Sequence, residues 1–196
     1  MISSEQLEEL LKNPSFLPQL NTLHYSKSGI LDTLLTGRKI VRLSGAVDPT
    51  TWTERYPNKK SITHLSVHTY RRILNSPGGI TQFCNLQHLG TLFFDFGDGD
   101  SRNQNLAVID HVFNSIMDLK LLSSIDGAAN FVDIYGDPWD EDLWARLESA
   151  HPKLRKVFLS GSRCAWVRRE SSQLWKRHEI PHYTSWDIVT DRFEHI

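Results

Sequence analysis

The stretch Leu17-Pro18-Gln19-Leu20-Asn21-Thr22-Leu23-His24-Tyr25 is answered later in the chain by Leu86-Gln87-His88-Leu89-Gly90-Thr91-Leu92-Phe93-Phe94. Five positions correspond at identical spacing: Leu17 with Leu86, Leu20 with Leu89, Thr22 with Thr91, Leu23 with Leu92, and Tyr25 with Phe94. Leu23 and Tyr25 are two residues apart, so they share one face of an extended chain. Leu20, three residues earlier, turns inward where the chain enters the strand. A short strand with one apolar face and an apolar lead-in cannot bury that face alone. Parallel copies stacked side by side can, through a continuous ladder of side chains.

A looser form, apolar-x-x-apolar-x-small-or-apolar, recurs at Ile40, Leu43 and Gly45; at Ile62, Leu65 and Val67; at Phe131, Ile134 and Gly136; and at Leu154, Val157 and Leu159. Chance alone supplies roughly five such patterns in a chain of this length and apolar content, so the intervals carry the argument. Lead-in residues fall at 20, 40, 62, 89, 131 and 154, in steps of 20, 22, 27, 42 and 23. All but the 42-residue step lie in the ~20–29 range of leucine-rich repeats.

The segments between these strands have helical periodicity. Ser3 to Lys12 has Leu7, Leu10 and Leu11 on one face, with Ser3 and Gln6 as a capping box and Asn13-Pro14 as the stop. Ile30, Leu31, Leu34 and Leu35 precede Gly37, and Tyr70, Ile73 and Leu74 precede Ser76-Pro77-Gly78-Gly79. A stripe from Leu106 through Ile109, Phe113, Ile116 and Met117, with Leu121 as its furthest reach, reads as a longer helix that accounts for the long step. The alternative is a strand at Ile116, Leu119 and Leu121; continuity from Leu106 favours the helix. Asp140 to Ala150 is acidic at its start and apolar along Leu143, Trp144 and Leu147, and His151-Pro152 ends it. Beyond residue 160 no repeat is kept. Leu174 and Trp175 indicate a helix, and Trp186, Ile188, Val189 and Phe193 are apolar enough to close an open end.

The expected architecture is therefore α/β: a leucine-rich-repeat-like solenoid with a short-stranded parallel sheet on its concave face and helices on its convex face. One irregular domain covers 1–196, with a cap helix over 1–14, repeats over 15–160 and a C-terminal cap or tail over 161–196.

Bulk composition narrows the function classes. With 22 Lys and Arg against 23 Asp and Glu, the net charge is −1, which offers no broad basic field for nucleic acid. The two cysteines, Cys84 and Cys164, fit a reducing compartment and read as small buried hydrophobes. The N-terminus lacks the basic start and apolar run of a signal peptide. No stretch approaches the ~18 apolar residues of a membrane span. A cytoplasmic or nuclear location is expected.

The runs Leu20-Asn-Thr-Leu-His-Tyr, Ile62-Thr-His-Leu-Ser-Val, Leu86-Gln-His-Leu-Gly-Thr-Leu and His151-Pro-Lys-Leu-Arg-Lys-Val resemble the leucine-rich-repeat region of fungal F-box-type proteins, over roughly residues 15–160. The resemblance implies a substrate receptor beside a ubiquitin ligase. The residues before Leu17 are too few for the roughly three helices of an F-box, so none is expected within this sequence: either the F-box was lost or the sequence is a fragment. A ligase adaptor is expected as partner only where an F-box is supplied elsewhere.

Motifs for chemistry are weak. Asp95-Phe96-Gly97 has no kinase Gly-rich or catalytic loop with it. Counted from Asp98 as a calcium loop, Asn103 stands where Gly is needed and Ile109 where a bidentate Glu is needed. The His64/His68 and His178/His182 pairs lack the helix and Glu of a zinc protease, and neither a Gly-x-Ser-x-Gly elbow nor a phosphate loop is present. Gly136 to Asp142 reads as a turn and helix start. Arg163, Arg168, Arg169, Lys176 and Arg177 form a basic stretch, normally a solvated face and otherwise a contact for an anion or acidic peptide. No catalytic residue, metal site or cofactor is assigned.

The strand faces give the better clue. With Leu23 and Tyr25 inward, His24 faces out, and the same alternation exposes Arg42, His64, Ser66, Phe93, Asp133, Tyr135, Lys156 and Phe158. Aromatics beside an Arg are favoured interface anchors. His24, Arg42, His64, Phe93, Tyr135 and Phe158 are accordingly the partner-binding candidates of a protein–protein interaction module. The alternative is a hydrolase using His64, His68, Asp95 and Asp98 near strand ends.

Overall fold

The computed structural model describes residues 4–13, 15–17, 19–25, 35, 38–45, 56, 58–67, 79–92, 114–127, 141–159, 163–168, 174–181 and 187. The lead-in leucines organise it. At Leu20, Ile62, Leu86, Leu122 and Leu154 the backbone N–H donates to a carbonyl three residues back, closing one tight turn before each strand. One residue later a carbonyl accepts from two successive N–H groups of the next strand's entry: Asn21 from Val41 and Arg42, Val41 from Thr63 and His64, Thr63 from Gln87 and His88, Gln87 from Ser123 and Ser124, and Ser123 from Arg155 and Lys156. Each parallel strand after the first is thus started from the one before it by the same device.

Among the described residues eight strands result, β1 (Thr22–Tyr25), β2 (Arg42–Gly45), β3 (His64–Val67), β4 (His88–Leu92), β5 (Ser124–Gly127), β6 (Lys156–Leu159), β7 (Cys164–Arg168) and β8 (Trp175–Glu179), in one sheet whose spatial order is the sequence order. β1 to β6 pair in parallel, and β6–β7 and β7–β8 pair antiparallel. Helix α1 (Ser4–Lys12) precedes the sheet and α2 (Glu141–Ala150) precedes β6. Single 3-10 turns, Lys59–Ser61 and Gly79–Phe83, precede β3 and β4.

The register places Leu23, Leu43, Leu65, Leu89, Ile125 and Val157 side by side on one face. From Leu43 onward this ladder is buried, and the lead-ins Ile40, Ile62, Leu86, Leu122 and Leu154 lie beneath it. Tyr56, Ile80 with Phe83, Ile116 with Leu119, and Leu147 complete the same cluster, and before β4 and β5 the buried apolar residues recede from the strand in steps of three. β7 adds Cys164 and Trp166 to this face, and β8 adds Trp175.

Several expectations change. The sheet is mixed rather than wholly parallel, because the chain turns back on β6 and again on β7. Leu174 and Trp175 open a strand, not a helix: Trp175–Glu179 pairs antiparallel with Cys164–Arg168. The fourth strand is entered from Leu86 rather than Leu89, so Leu89, and not Leu92, joins the ladder with Leu65. Leu86, Leu89 and Leu92 are spaced by threes, which makes both phases apolar. The backbone decides between them where Gln87 and His88 bond to Thr63, and the ladder then shifts register between Leu89 and Leu92. The fifth strand uses Leu122, Ile125 and Gly127; residues 114–116 are helical and 117–121 form a turn, so neither the strand at 116–121 nor a helix reaching Leu121 forms. The expected helices around 30–35 and 70–74, and the strand at 131–136, lie outside the described residues, Leu35 excepted. Cys164 is buried as expected, whereas Cys84 is exposed.

Candidate functional site

Opposite the core ladder, two rows of side chains cross the sheet. The first runs Thr22, Arg42, His64, His88, Ser124, Lys156 and Val167; the second runs His24, Ser44, Ser66 and Gly90 and, past the register shift in β4, Asp126, Phe158 and Ala165. The alternation that buries the leucines therefore puts His24, Arg42, His64 and Phe158 on one face, as the sequence indicated. Phe93 and Tyr135 lie outside the described residues, as do His68, Asp95 and Asp98.

Sharing a face does not make these residues equally accessible. His24 is exposed, and Arg42 and His64 are half-buried. Phe158 is only 2% exposed and packs with Ala165, Val167 and Ile180 in a second apolar cluster. Its expected role as an exposed anchor is thereby corrected. The antiparallel strands β7 and β8 bring apolar residues to this face, and the ring is core. Ser66, also expected outside, is buried as well. Ser124 and Lys156 of the same face are half-buried, like Arg42 and His64.

Within the covered part His88 is paired on one ring nitrogen only, its Nε2 being buried without a hydrogen-bond partner among the described residues. The His88 ring is wholly buried; its Nδ1 lies 2.8 Å from Ser124 Oγ. Its ring centroid is 5.9 Å from that of His64 and 6.4 Å from that of Phe158, edge-on to the latter. A Cβ on Gly90 would fall 2.6 Å from Ser66 Oγ and 3.1 Å from His88 Nε2, so only glycine fits between them. On the neighbouring rungs His24 Nδ1 is 3.3 Å from Ser44 Oγ, and Thr63 Oγ1 is 2.9 Å from His64 Nδ1. The Ser124–His88 pair has a nucleophile–base separation, with the imidazole wholly buried and Ser124 half-buried.

Burial, reinforced by the nearby positive charge of His64, pushes the His88 pKa down to about 3. Between that value and the ordinary 6.5, only the unfolded chain takes up the proton. Stability is then full above pH ~6.5 and falls by about 1.4 kcal/mol per pH unit below it. Burial of His151 lowers its pKa too, against a smaller upward pull from the Leu119 carbonyl, and adds to the same trend. Urea unfolding at pH 7, 6 and 5 of the wild type and of His88→Asn separates the two: the wild type is expected to lose about 2 kcal/mol more than the variant from pH 6.5 to 5. Equal losses would mean that the folded ring accepts the proton.

Sequence reading missed His88, Ser44, Gly90 and Asp126 as members of this face. The available signal was the shared apolar-x-His-Leu of Ile62-Thr63-His64-Leu65 and Leu86-Gln87-His88-Leu89, which stacks His88 on His64.

Comparison of the chain with protein-family models, curated proteins and solved structures finds no match. Among the described residues no group of three or more His, Cys, Asp or Glu side chains is placed to hold a metal ion. Nor is any helix among them long and apolar enough to cross a membrane.

Proposed function

We propose that this chain is an irregular leucine-rich-repeat-like solenoid that serves as a protein–protein interaction module, with its docking surface at the β1–β3 end of the face opposite the core. The observation that carries this reading is the in-register series Leu23, Leu43, Leu65, Leu89, Ile125 and Val157. It commits one face of β1 to β6 to the interior, and recognition falls to those residues of the other face that stay accessible. His24, Arg42 and His64 stand on that second face on consecutive rungs. Their backbones are fixed by the ladder, so little ordering cost attaches to binding through them. The resemblance to F-box-type repeat regions adds a substrate-receptor role, and a ligase adaptor joins only where an F-box is supplied elsewhere.

The test compares the wild type with His24→Ala/Arg42→Glu. Proteins captured by each are quantified by mass spectrometry, and the strongest differential partner is purified and titrated directly. The expected result is at least tenfold weaker binding by the variant, with an unchanged Tm. Equal affinity for every captured partner would end the assignment of this face.

A further inference from the structure

The last strand offers a second way to bind. Ile180 N–H donates to the Arg163 carbonyl at 2.9 Å, which makes that residue pair a hydrogen-bonded one. Pairs alternate along an antiparallel ladder between those that exchange hydrogen bonds and those that do not. Ala165–His178 and Val167–Lys176 are then bonded pairs, whereas Arg177 and Glu179, opposite Trp166 and Cys164, turn their N–H and C=O groups away from β7. Among the described residues no strand lies beyond β8, and those outward groups meet no partner.

The strand is held in place at its start. Trp175 Nε1 donates to Glu148 Oε1 at 2.6 Å, and the Arg168 guanidinium lies 5.5 Å from the Trp175 ring centroid. Arg168 is itself neutralised by Glu148, at 3.3 Å. The cations left in solvent are Lys176 and Arg177 on the strand and Arg163 beside its end, against Glu179 as the strand's acid. Like charges along an open edge repel a second copy of the same edge. They favour an incoming strand of opposite sign.

We propose that the outer edge of β8 receives an extended acidic peptide by strand addition. The peptide's backbone pairs with Arg177 and Glu179, and its carboxylates meet Lys176, Arg177 and Arg163. This mode takes its affinity from main-chain hydrogen bonds and its selectivity from side chains. The site is the final edge of the sheet, distinct from the β1–β3 face proposed above.

Fluorescence polarisation with a labelled alternating Glu-Val peptide, and a Lys-Val peptide of equal length, tests it on the full chain. The acidic peptide is expected to bind at least tenfold more tightly. Arg177→Pro removes an outward N–H without touching a bond to β7, and is expected to weaken binding at least tenfold. Because that variant can distort the strand, the same peptide N-methylated at alternate residues is titrated against the wild type, with the same loss expected. His24→Ala/Arg42→Glu is expected to bind the peptide as the wild type does, so failure at one surface is distinguished from failure at the other. Acidic and basic peptides binding alike, neither binding, or N-methylation without effect would each overturn strand addition.

Discussion

Leu89→Ala is expected to lower the unfolding free energy by about 2–5 kcal/mol. Leu89 has no exposed surface and sits mid-ladder, with Leu65 on one flank and Ile125 on the other. Ile80, Phe83 and Leu86 belong to the same cluster, so a truncated side chain leaves a space that several neighbours would have to move to fill. The effect sits toward the upper end where backbone pairing on both sides prevents collapse. Urea denaturation monitored by tryptophan fluorescence measures it. A loss under about 1 kcal/mol would mean that the strand faces are interchanged.

Arg38→Met is expected to cost about 2–4 kcal/mol, concentrated at the N-terminal end. Arg38 is 3% exposed, and its Nη2 lies 3.0 Å from the carbonyl oxygens of Leu11, Asn13 and Phe16. Carbonyls at and just after the end of α1 lack intrahelical donors and carry the negative end of the helix dipole. One guanidinium supplies both the donors and the opposite charge, and so ties α1 to the segment that enters β2. Methionine keeps the apolar stem and removes the donors. Hydrogen exchange should show α1 amides losing protection while those of β4 and β5 keep theirs. Uniform loss across the sheet would argue against a local role.

The repeat was legible because its cause is local. An apolar lead-in three residues before an apolar strand position requires only a turn and an extended segment, and Ile40–Leu43, Ile62–Leu65 and Leu154–Val157 show both in the sequence and in the structure. It was misread where two phases are equally apolar, as at Leu86, Leu89 and Leu92. It was also missed where polar residues dilute the signal, as at Leu122-Ser123-Ser124-Ile125. There the choice is made by bonds to the preceding strand, which no single segment encodes. The site divides in the same way. Alternation places His24, Arg42, His64 and Phe158 on one face, whereas the burial of Phe158 depends on Ala165 and Val167 folding back across β6. That is a non-local event, and local periodicity cannot register it.

Spatial order identical to chain order bears on how the protein is made. A ribosome releases the strands in the sequence in which they assemble, so each nascent segment finds its template already formed. No early segment waits, unpaired, for a distant partner still to be translated. The reversed pair β7–β8 emerges last and closes the series on a different geometry.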